Sequence, residues 1–152
     1  MKKDVVIFDL DGTLALIDDR RALATKDNGK MDWDVFFNPD NIGLDLPNLP
    51  VIKMAKTLHD QGFNIVIFSG RSKATKTATA KWLDKHNVPF NVMKMRPTGH
   101  PWAFMPDDKL KQQWLDDIFP GTDKDRILTV FDDRDKVVNM WRDNGLTCFQ
   151  VA

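Results

Sequence analysis

The chain is poor in cysteine and carries no excess of charge of either sign. Cys148 is the only cysteine in 152 residues, so no internal disulfide can form and a reducing compartment is the default. Lys plus Arg and Asp plus Glu both total 22, so no overall field draws the chain to nucleic acid or to a membrane. Any contact with a polyanion must therefore depend on a local arrangement of side chains.

The sequence also lacks long apolar runs and the P-loop motif that binds nucleoside triphosphates. The run from Val5 to Phe8 is too short for a signal peptide or a membrane-spanning helix. No Gly-x-x-x-x-Gly-Lys-Ser/Thr segment occurs, which excludes a P-loop kinase site from this chain. We therefore expect a cytoplasmic protein with no membrane contact and no kinase domain in this chain.

The hydrophobic pattern predicts one α/β domain over residues 1–152. A hydrophobic content of 42% is enough for a single core, and extended apolar segments alternate with helical ones, which indicates a parallel sheet with crossover helices. The predicted helices are Pro50 to Asp60, Lys73 to His86, Asp107 to Ile118 and Asp135 to Asn144. The predicted strands lie near Val5, Ile65, Phe90, Ile127 and Phe149.

Three of these predicted strands are followed directly by side chains that can take part in catalysis or ligand binding. The residues that follow them are Asp9 and Asp11, then Ser69, Gly70 and Arg71, then Asp132 and Asp133. Open parallel α/β sheets place their ligand crevice at this edge. A hydroxyl, an unhindered amide and a guanidinium suit an oxyanion such as phosphate. Two carboxylates at contact distance repel by roughly 4 kcal/mol at intermediate dielectric, so a shared cleft calls for a divalent cation, and oxygen ligands favour Mg²⁺.

The joint pattern resembles a known family. Asp9 to Leu14, Ser69, a lysine between Asp107 and Lys111, and the Asp132-Asp133 pair resemble the four motifs of the haloacid dehalogenase superfamily of phosphohydrolases. More narrowly, Ser69 to Arg71, Phe131 to Arg134 and the tail from Val137 to Ala152 resemble the 3′-phosphatase domain of phage-type polynucleotide kinase. The resemblance implies a Rossmann-like three-layer sandwich with a five-stranded parallel sheet in the order 3-2-1-4-5, and a phage or bacterial source. No large cap domain is expected between the motifs, because residues 15–47 hold too few apolar residues for an independent core.

The resemblance also implies a role for each site residue. Asp9 is expected to attack phosphorus and form an aspartyl phosphate, while Asp11 protonates the leaving alkoxide and then activates water. Lys111 is expected to offset the charge of the intermediate, with Lys109 left open as its rival. The expected Mg²⁺ ligands are Asp9, Asp11 through its backbone carbonyl, Asp132 and, in support, Asp133. The expected substrate contacts are Thr13, Ser69, Gly70, Arg71 and Arg20.

Residues 15–47 fit the alternation of strands and helices least. They are polar and turn-rich around the aromatic patch Trp33 to Phe37, and we interpret them as a lid-like excursion over the mouth of the sheet, with the aromatic residues as a small lid core. Trp102 and Phe104 are open to two interpretations, stacking on a nucleobase or packing within a loop. Without a large cap, the cleft is open and can admit a polymeric substrate.

The leading hypothesis is a Mg²⁺-dependent phosphomonoesterase that acts on nucleotides, with a phosphorylated nucleic-acid 3′ end as substrate. A mononucleotide phosphatase, acting on 5′- or 3′-nucleotides, is the enzymatic alternative, since the neutral net charge suits a small ligand. An inactive binding module with the same fold is the third hypothesis. The intact acidic motifs count against it.

Overall fold

The computed structural model describes residues 2–152. In chain order the strands are β1 (Val5–Phe8), β2 (Ala15–Leu16), β3 (Leu46–Pro47), β4 (Asn64–Ser72), β5 (Val92–Arg96), β6 (Ile127–Asp132) and β7 (Cys148–Gln150). The helices are α1 (Asp18–Ala24), α2 (Trp33–Phe36), α3 (Leu49–Asp60), α4 (Lys76–Lys85), α5 (Asp107–Ile118) and α6 (Asp135–Asp143). Short 3₁₀ helices cover Pro39–Leu44, Lys73–Thr75, Trp102–Phe104 and Gly121–Arg126.

Five of the strands form one sheet in the order β5-β4-β1-β6-β7, and every neighbouring pair is parallel. Counted along the main sheet alone, this is the order 3-2-1-4-5, so the predicted topology is confirmed. The strands β4, β1 and β6 lie side by side at the centre. Their carboxyl ends therefore meet at one edge, and the predicted site residues lie there: Asp9 directly after β1, residues 69–71 in the last part of β4, and Asp132 at the end of β6.

The sheet is covered on both faces, because successive side chains of a strand point in opposite directions. On β1, Val6 and Phe8 join a hydrophobic cluster with α3 and α4, whereas Val5 and Ile7 join a second cluster with α5 and α6. All four of these side chains are at most 2% exposed. The result is the predicted three-layer sandwich, with a rigid central strand that leads directly to Asp9.

Several element boundaries differ from the sequence prediction; among them, the helices predicted to end at His86 and Asn144 end one residue earlier, at Lys85 and Asp143. The second predicted helix begins as the 3₁₀ turn Lys73–Thr75, because the Ser72 side chain caps the amide of Ala74, and it becomes α-helical at Lys76. The α3 helix begins at Leu49, one residue before Pro50. Phe90 precedes its strand, which starts at Val92.

The excursion over residues 15–47 begins and ends at the same place. Its first residues, in β2, pair antiparallel with its last residues, in β3, as Ala15 with Pro47 and Leu16 with Leu46. Between them lie α1, α2 and a 3₁₀ helix, whose buried Ala24, Phe36 and Ile42 join the cluster on one face of the sheet. The segment thus packs on the main core and builds no separate cap domain. Within residues 2–152, no helix combines the length and apolar character that crossing a membrane requires.

Candidate active site

Asp9 leaves the end of β1 into a turn that only glycine can complete. The Asp9 amide still donates to the Phe131 carbonyl of β6 at 2.9 Å, so the central strands fix its backbone. Gly12 follows with φ of +83°, a conformation that residues with a Cβ rarely adopt. A Cβ at Gly12 would also collide with the Asp133 carboxylate. The turn therefore brings the first acidic motif directly against the last one.

Three carboxylates and one lysine meet at this point. Asp9, Asp132 and Asp133 each offer an oxygen atom within 4.8 Å of the others. Lys111 of α5 is 2% exposed, and its Nζ donates to Asp9 Oδ1 at 2.8 Å and to Asp132 Oδ2 at 3.1 Å. Lys109 is exposed, so of the two candidate lysines the structure brings Lys111 to the carboxylates.

The electrostatics of this cluster show a shortage of positive charge. Burial raises the pKa of Asp9 well above its usual value, and the negative charge of Asp132 adds to that rise against the opposing charge of Lys111. Burial alone would lower the pKa of Lys111, yet the charges of Asp9 and Asp132 raise it above the usual value. Three carboxylates share one ammonium, and their clustered oxygen atoms are the donor set that a hard divalent cation takes. The residues present therefore fit a bound divalent cation.

Asp132 is held by groups that sequence reasoning did not single out. It is 1% exposed, and its Oδ2 accepts from the indole Nε1 of Trp141 at 3.2 Å while its Oδ1 accepts from the amide of Asp133 at 2.8 Å. Trp141 belongs to α6 and is fully buried. A tryptophan on the apolar face of a helix looks like ordinary core, so no local signal in the sequence marks it as a positioning residue.

Asp11 has surroundings of the opposite sign. Its Oδ1 accepts from Arg71 Nε at 2.8 Å and from Arg20 Nη2 at 3.0 Å. Both arginines are at most 1% exposed. Burial alone would raise the pKa of Asp11, but the guanidinium groups of Arg71 and Arg20 hold that pKa below its usual value. The carboxylate is ionised at neutral pH and still lines the open cleft.

Asp45 joins the two arginines from behind. Its carboxylate accepts from Arg20 Nε at 2.9 Å and from Arg71 Nη2 at 2.7 Å, and the residue is 2% exposed. The indole Nε1 of Trp82 donates to the Asp45 carbonyl at 3.0 Å. The sequence prediction missed Asp45. Its only signal is an isolated carboxylate between two leucines, Leu44 and Leu46, near the end of the excursion.

The predicted substrate-contact residues take different places. Arg20 and Arg71 lie beneath Asp11 in the buried network described above and are absent from the residues that line the cleft. Thr13 is fully buried, and its hydroxyl lies 3.2 Å from Asp9 Oδ2 and 3.3 Å from Asp133 Oδ1. Ser69 is 1% exposed and its Oγ accepts from the Arg71 amide at 3.1 Å. Gly70 lines the cleft.

The cleft itself is large, with a volume of about 850 Å³. Its floor holds Asp9, Asp11 and Lys111. The surrounding walls contain aromatic side chains from the excursion and from the loop after β5, together with arginines; these residues are Trp33, Phe36, Phe37, Phe104, Arg21, Arg96 and Arg134. A cleft of this size accommodates an organic group well beyond a single phosphate.

Comparison with known proteins agrees with this arrangement. Residues 3–152 match the sequence model of the polynucleotide kinase PNKP phosphatase domain. The "Putative bifunctional polynucleotide kinase/RNA ligase" of Autographa californica nuclear polyhedrosis virus is 32% identical over 151 residues, which are 97% of this chain and 19% of the viral protein. A solved structure of the Pnkp1/Rnl/Hen1 RNA repair complex contains a chain that is 31% identical, with a TM-score of 0.78 over 97% of this chain and 42% of that one.

The crystal structure of a predicted phosphatase from Clostridium acetobutylicum shares the fold, with a TM-score of 0.72 over 99% of this chain and 85% of that one, at 12% identity. The chain spans about a fifth of the curated relative and less than half of the chain in the RNA repair complex. The match to the family model covers almost every residue. The chain therefore belongs to the polynucleotide kinase PNKP phosphatase domain family and is a phosphatase of the haloacid dehalogenase superfamily.

Proposed function

We propose that this chain hydrolyses phosphomonoesters at the 3′ ends of polynucleotides, with Mg²⁺ as cofactor and through an aspartyl phosphate. The observation that carries the chemistry is the cluster in which Lys111 bridges Asp9 and Asp132 beside Asp133. The family match and the open cleft support the nucleic-acid substrate. The names of two relatives, which mention an RNA ligase and RNA repair, support RNA as the polymer.

Asp9 is the proposed nucleophile. One of its oxygens contacts Lys111 and the other contacts the Thr13 hydroxyl, so its carboxylate is held in one orientation at the floor of the cleft. Attack on phosphorus forms the aspartyl phosphate and breaks the ester bond, which splits one hard displacement into two easier ones. Lys111 offsets the negative charge that gathers on the transferred group.

Asp11 is the proposed acid and base. In the free protein its carboxylate is a base, because Arg71 and Arg20 favour the ionised form. A substrate phosphate near Asp11 adds negative charge, which raises the pKa of Asp11 toward the range in which it can carry a proton. Asp11 then gives that proton to the leaving 3′ oxygen and afterwards takes one from the water that hydrolyses the intermediate.

The proposed Mg²⁺ ligands are the carboxylates of Asp9, Asp132 and Asp133 and the backbone carbonyl of Asp11. The cation would neutralise the carboxylates and the substrate phosphate, which otherwise repel each other. Gly70, which lines the cleft, is the proposed phosphate-side contact. Thr13 and Ser69 are buried and do not line the cleft, so their proposed role is to orient Asp9 and the Arg71 backbone. For Arg20 and Arg71 we propose an indirect role, because both hold Asp11 and neither lines the cleft.

A mononucleotide phosphatase is the second candidate. The chain has equal numbers of acidic and basic residues, 22 of each, so it lacks the overall positive field that many nucleic-acid-binding domains have. This observation favours a small ligand, whereas the family match favours a polymer end.

Phosphate release in the presence of Mg²⁺ tests the proposal. The substrates are a 3′-phosphorylated oligonucleotide, as RNA and as DNA, a 3′-mononucleotide and a 5′-mononucleotide, with the Asp9→Asn variant as control. We expect fastest turnover of the oligonucleotide and none with Asp9→Asn. Faster turnover of mononucleotides would favour the second candidate, and no turnover of any substrate would favour a binding module that retains the fold.

A further inference from the structure

Two large aromatic side chains from different parts of the chain line the same cleft and remain exposed. Trp33 comes from α2 in the excursion and is 59% exposed, while Phe104 comes from the loop after β5 and is 84% exposed. Both line the cleft whose floor holds Asp9. Exposed aromatic rings next to a reaction centre are candidate binding surfaces for a flat, apolar part of a ligand.

The position of Trp33 is fixed by the residues around it. The Asp32 side chain caps α2 by accepting from the amides of Asp34 and Val35 at 3.2 and 3.3 Å. Phe36, one turn further on, is 6% exposed and anchors the helix in the core. The Trp33 ring stacks on Phe37, with centroids 5.7 Å apart and an interplanar angle of 17°. Trp33 is thus presented as a supported platform, not as a loose side chain.

The loop that carries Phe104 is fixed by Arg96. The Arg96 guanidinium donates to the carbonyls of Trp102 and Met105, at 2.6 and 2.7 Å, and to the Gly70 carbonyl at 2.9 Å. The same side chain therefore connects the residues that flank Phe104 to the turn beside Ser69. Because Arg96 holds the residues on both sides of Phe104, the exposed position of the Phe104 ring is part of an ordered loop conformation.

A free cation lies on the same side of the cleft as Trp33. Arg21 of α1 is exposed and lines the cleft, and among residues 2–152 it forms no ion pair. A cation without a partner, next to exposed aromatic rings and a phosphate-handling centre, suits a ligand that combines a ring, a sugar and phosphate groups. This combination describes a nucleotide better than a lipid or a simple phosphomonoester.

We infer that Trp33 and Phe104 bind the terminal nucleobase of the substrate by stacking, with Arg21 contacting the next phosphodiester toward the 5′ side. This inference rests on the proposed function and names the part of the substrate that the cleft selects. Stacking accepts every base because each presents a flat face, so the site reads the end of a polynucleotide without reading its sequence. Trp33 and Phe104 are binding residues that act on affinity and leave the chemical step unchanged.

Kinetics on two matched substrates test the inference. One is a 3′-phosphorylated oligonucleotide, and the other carries a base-free sugar as its 3′-phosphorylated terminal residue. We expect Trp33→Ala and Phe104→Ala each to raise KM about tenfold on the first substrate, with kcat unchanged and with no effect on the second. Trp33→Phe should retain most of the affinity. Phe90→Ala, which removes an aromatic ring that is 37% exposed and outside the cleft lining, is the control for general effects.

Equal KM changes on both substrates, or no change on either, would overturn the stacking inference. A binding experiment keeps it testable if the phosphatase proposal itself fails and wild-type protein hydrolyses neither substrate. The intrinsic fluorescence of Asp9→Asn is titrated with the 3′-phosphorylated oligonucleotide and with its base-free counterpart. Quenching by the first alone, lost in the double variant Asp9→Asn/Trp33→Phe, supports stacking at Trp33. Quenching that keeps its full amplitude in the double variant contradicts it.

Discussion

Asp9 and Asp11 stand two residues apart on one turn, yet their surroundings differ in charge. Asp9 shares one lysine with two further carboxylates, Asp132 and Asp133, whereas Asp11 lies against two arginines that share a single further carboxylate, Asp45. Burial raises the pKa of Asp9, while the arginines hold the pKa of Asp11 below its usual value. The comparison indicates that the Asp9 half of the site needs a cation and that the Asp11 half is already balanced. Different environments give neighbouring carboxylates different roles.

The largest expected effect separates the two aspartates by their chemistry. Asp9→Asn should reduce the rate of phosphate release by roughly a thousandfold or more on every substrate, because the aspartyl phosphate can no longer form. Asp11→Asn should lower turnover of a nucleotide ester by about 10² to 10⁴. In a single turnover of p-nitrophenyl phosphate, whose leaving group needs no proton, the Asp11→Asn loss should be much smaller. Equal losses on both esters would show that Asp11 does not act as the acid.

Removal of the Asp45 carboxylate tests the charge balance of the buried network around Asp11. Asp45→Ala leaves Arg20 and Arg71 buried with one carboxylate between them, so we expect the free energy of unfolding to fall by about 3 kcal/mol. Urea unfolding measures this loss. Asp4→Ala removes a partly solvent-exposed pair with Arg126 and is the matched control, for which we expect a far smaller change. Equal losses in the two variants would mean that the buried network contributes no more than a surface pair.

Removing the hydrogen bond that Trp141 donates to Asp132 should have a smaller effect, on metal binding by the carboxylate cluster around Asp9. Trp141→Phe keeps a ring in the core but removes the indole donor to Asp132, so the Mg²⁺ concentration for half-maximal activity should rise about tenfold. The rate at saturating Mg²⁺ should change little. Trp114→Phe is the control, since Trp114 packs against Phe68 in the same hydrophobic cluster. An unchanged Mg²⁺ requirement in Trp141→Phe would remove the positioning role.

The smallest effect is a gain in stability. A carboxyl group whose folded pKa is raised destabilises the fold above that pKa, and the penalty shrinks as pH falls toward the unfolded pKa. In EDTA at pH 7, Asp9→Asn should therefore melt about 2 °C or more above the wild type, with a smaller difference near pH 4. Mg²⁺ should stabilise the wild type more than the variant. A lower melting temperature for the variant at pH 7 would contradict the shortage of positive charge around Asp9.

The sheet and the strand ends were predictable because both depend on short-range patterns. Apolar runs fix the strands, and Asp9, Ser69 and Asp132 follow those runs immediately, so parallel strands must bring them to one edge. The strand order is a different case, because it was expected from the family resemblance and not from short-range patterns, and the structure confirms it. The roles of the individual side chains stay predictions, although the structure brings Lys111, and not Lys109, to the carboxylates.

The network under Asp11 could not be predicted, because its members are far apart in sequence. Arg20, Asp45 and Arg71 come from three different segments, and no periodic pattern marks any of them as a partner of the others. Burial of a long charged side chain is also opposite to the usual tendency of arginine. The exposure of Trp33 is a similar case, since aromatic residues clustered in sequence ordinarily form core, and only Phe36 does so here.

The short β2–β3 pair has a consequence for how such proteins can diversify. Because the two ends of residues 15–47 are joined side by side, the exposed turns of this segment can change in length without moving the central sheet, as long as the buried Ala24, Phe36 and Ile42 are kept. Yet Arg20, which contacts Asp11, and Asp45, which pairs with Arg20 and Arg71, lie inside that segment together with Trp33. Grafting of this segment would therefore transfer the groups that hold Asp11 and the proposed stacking surface of Trp33 together.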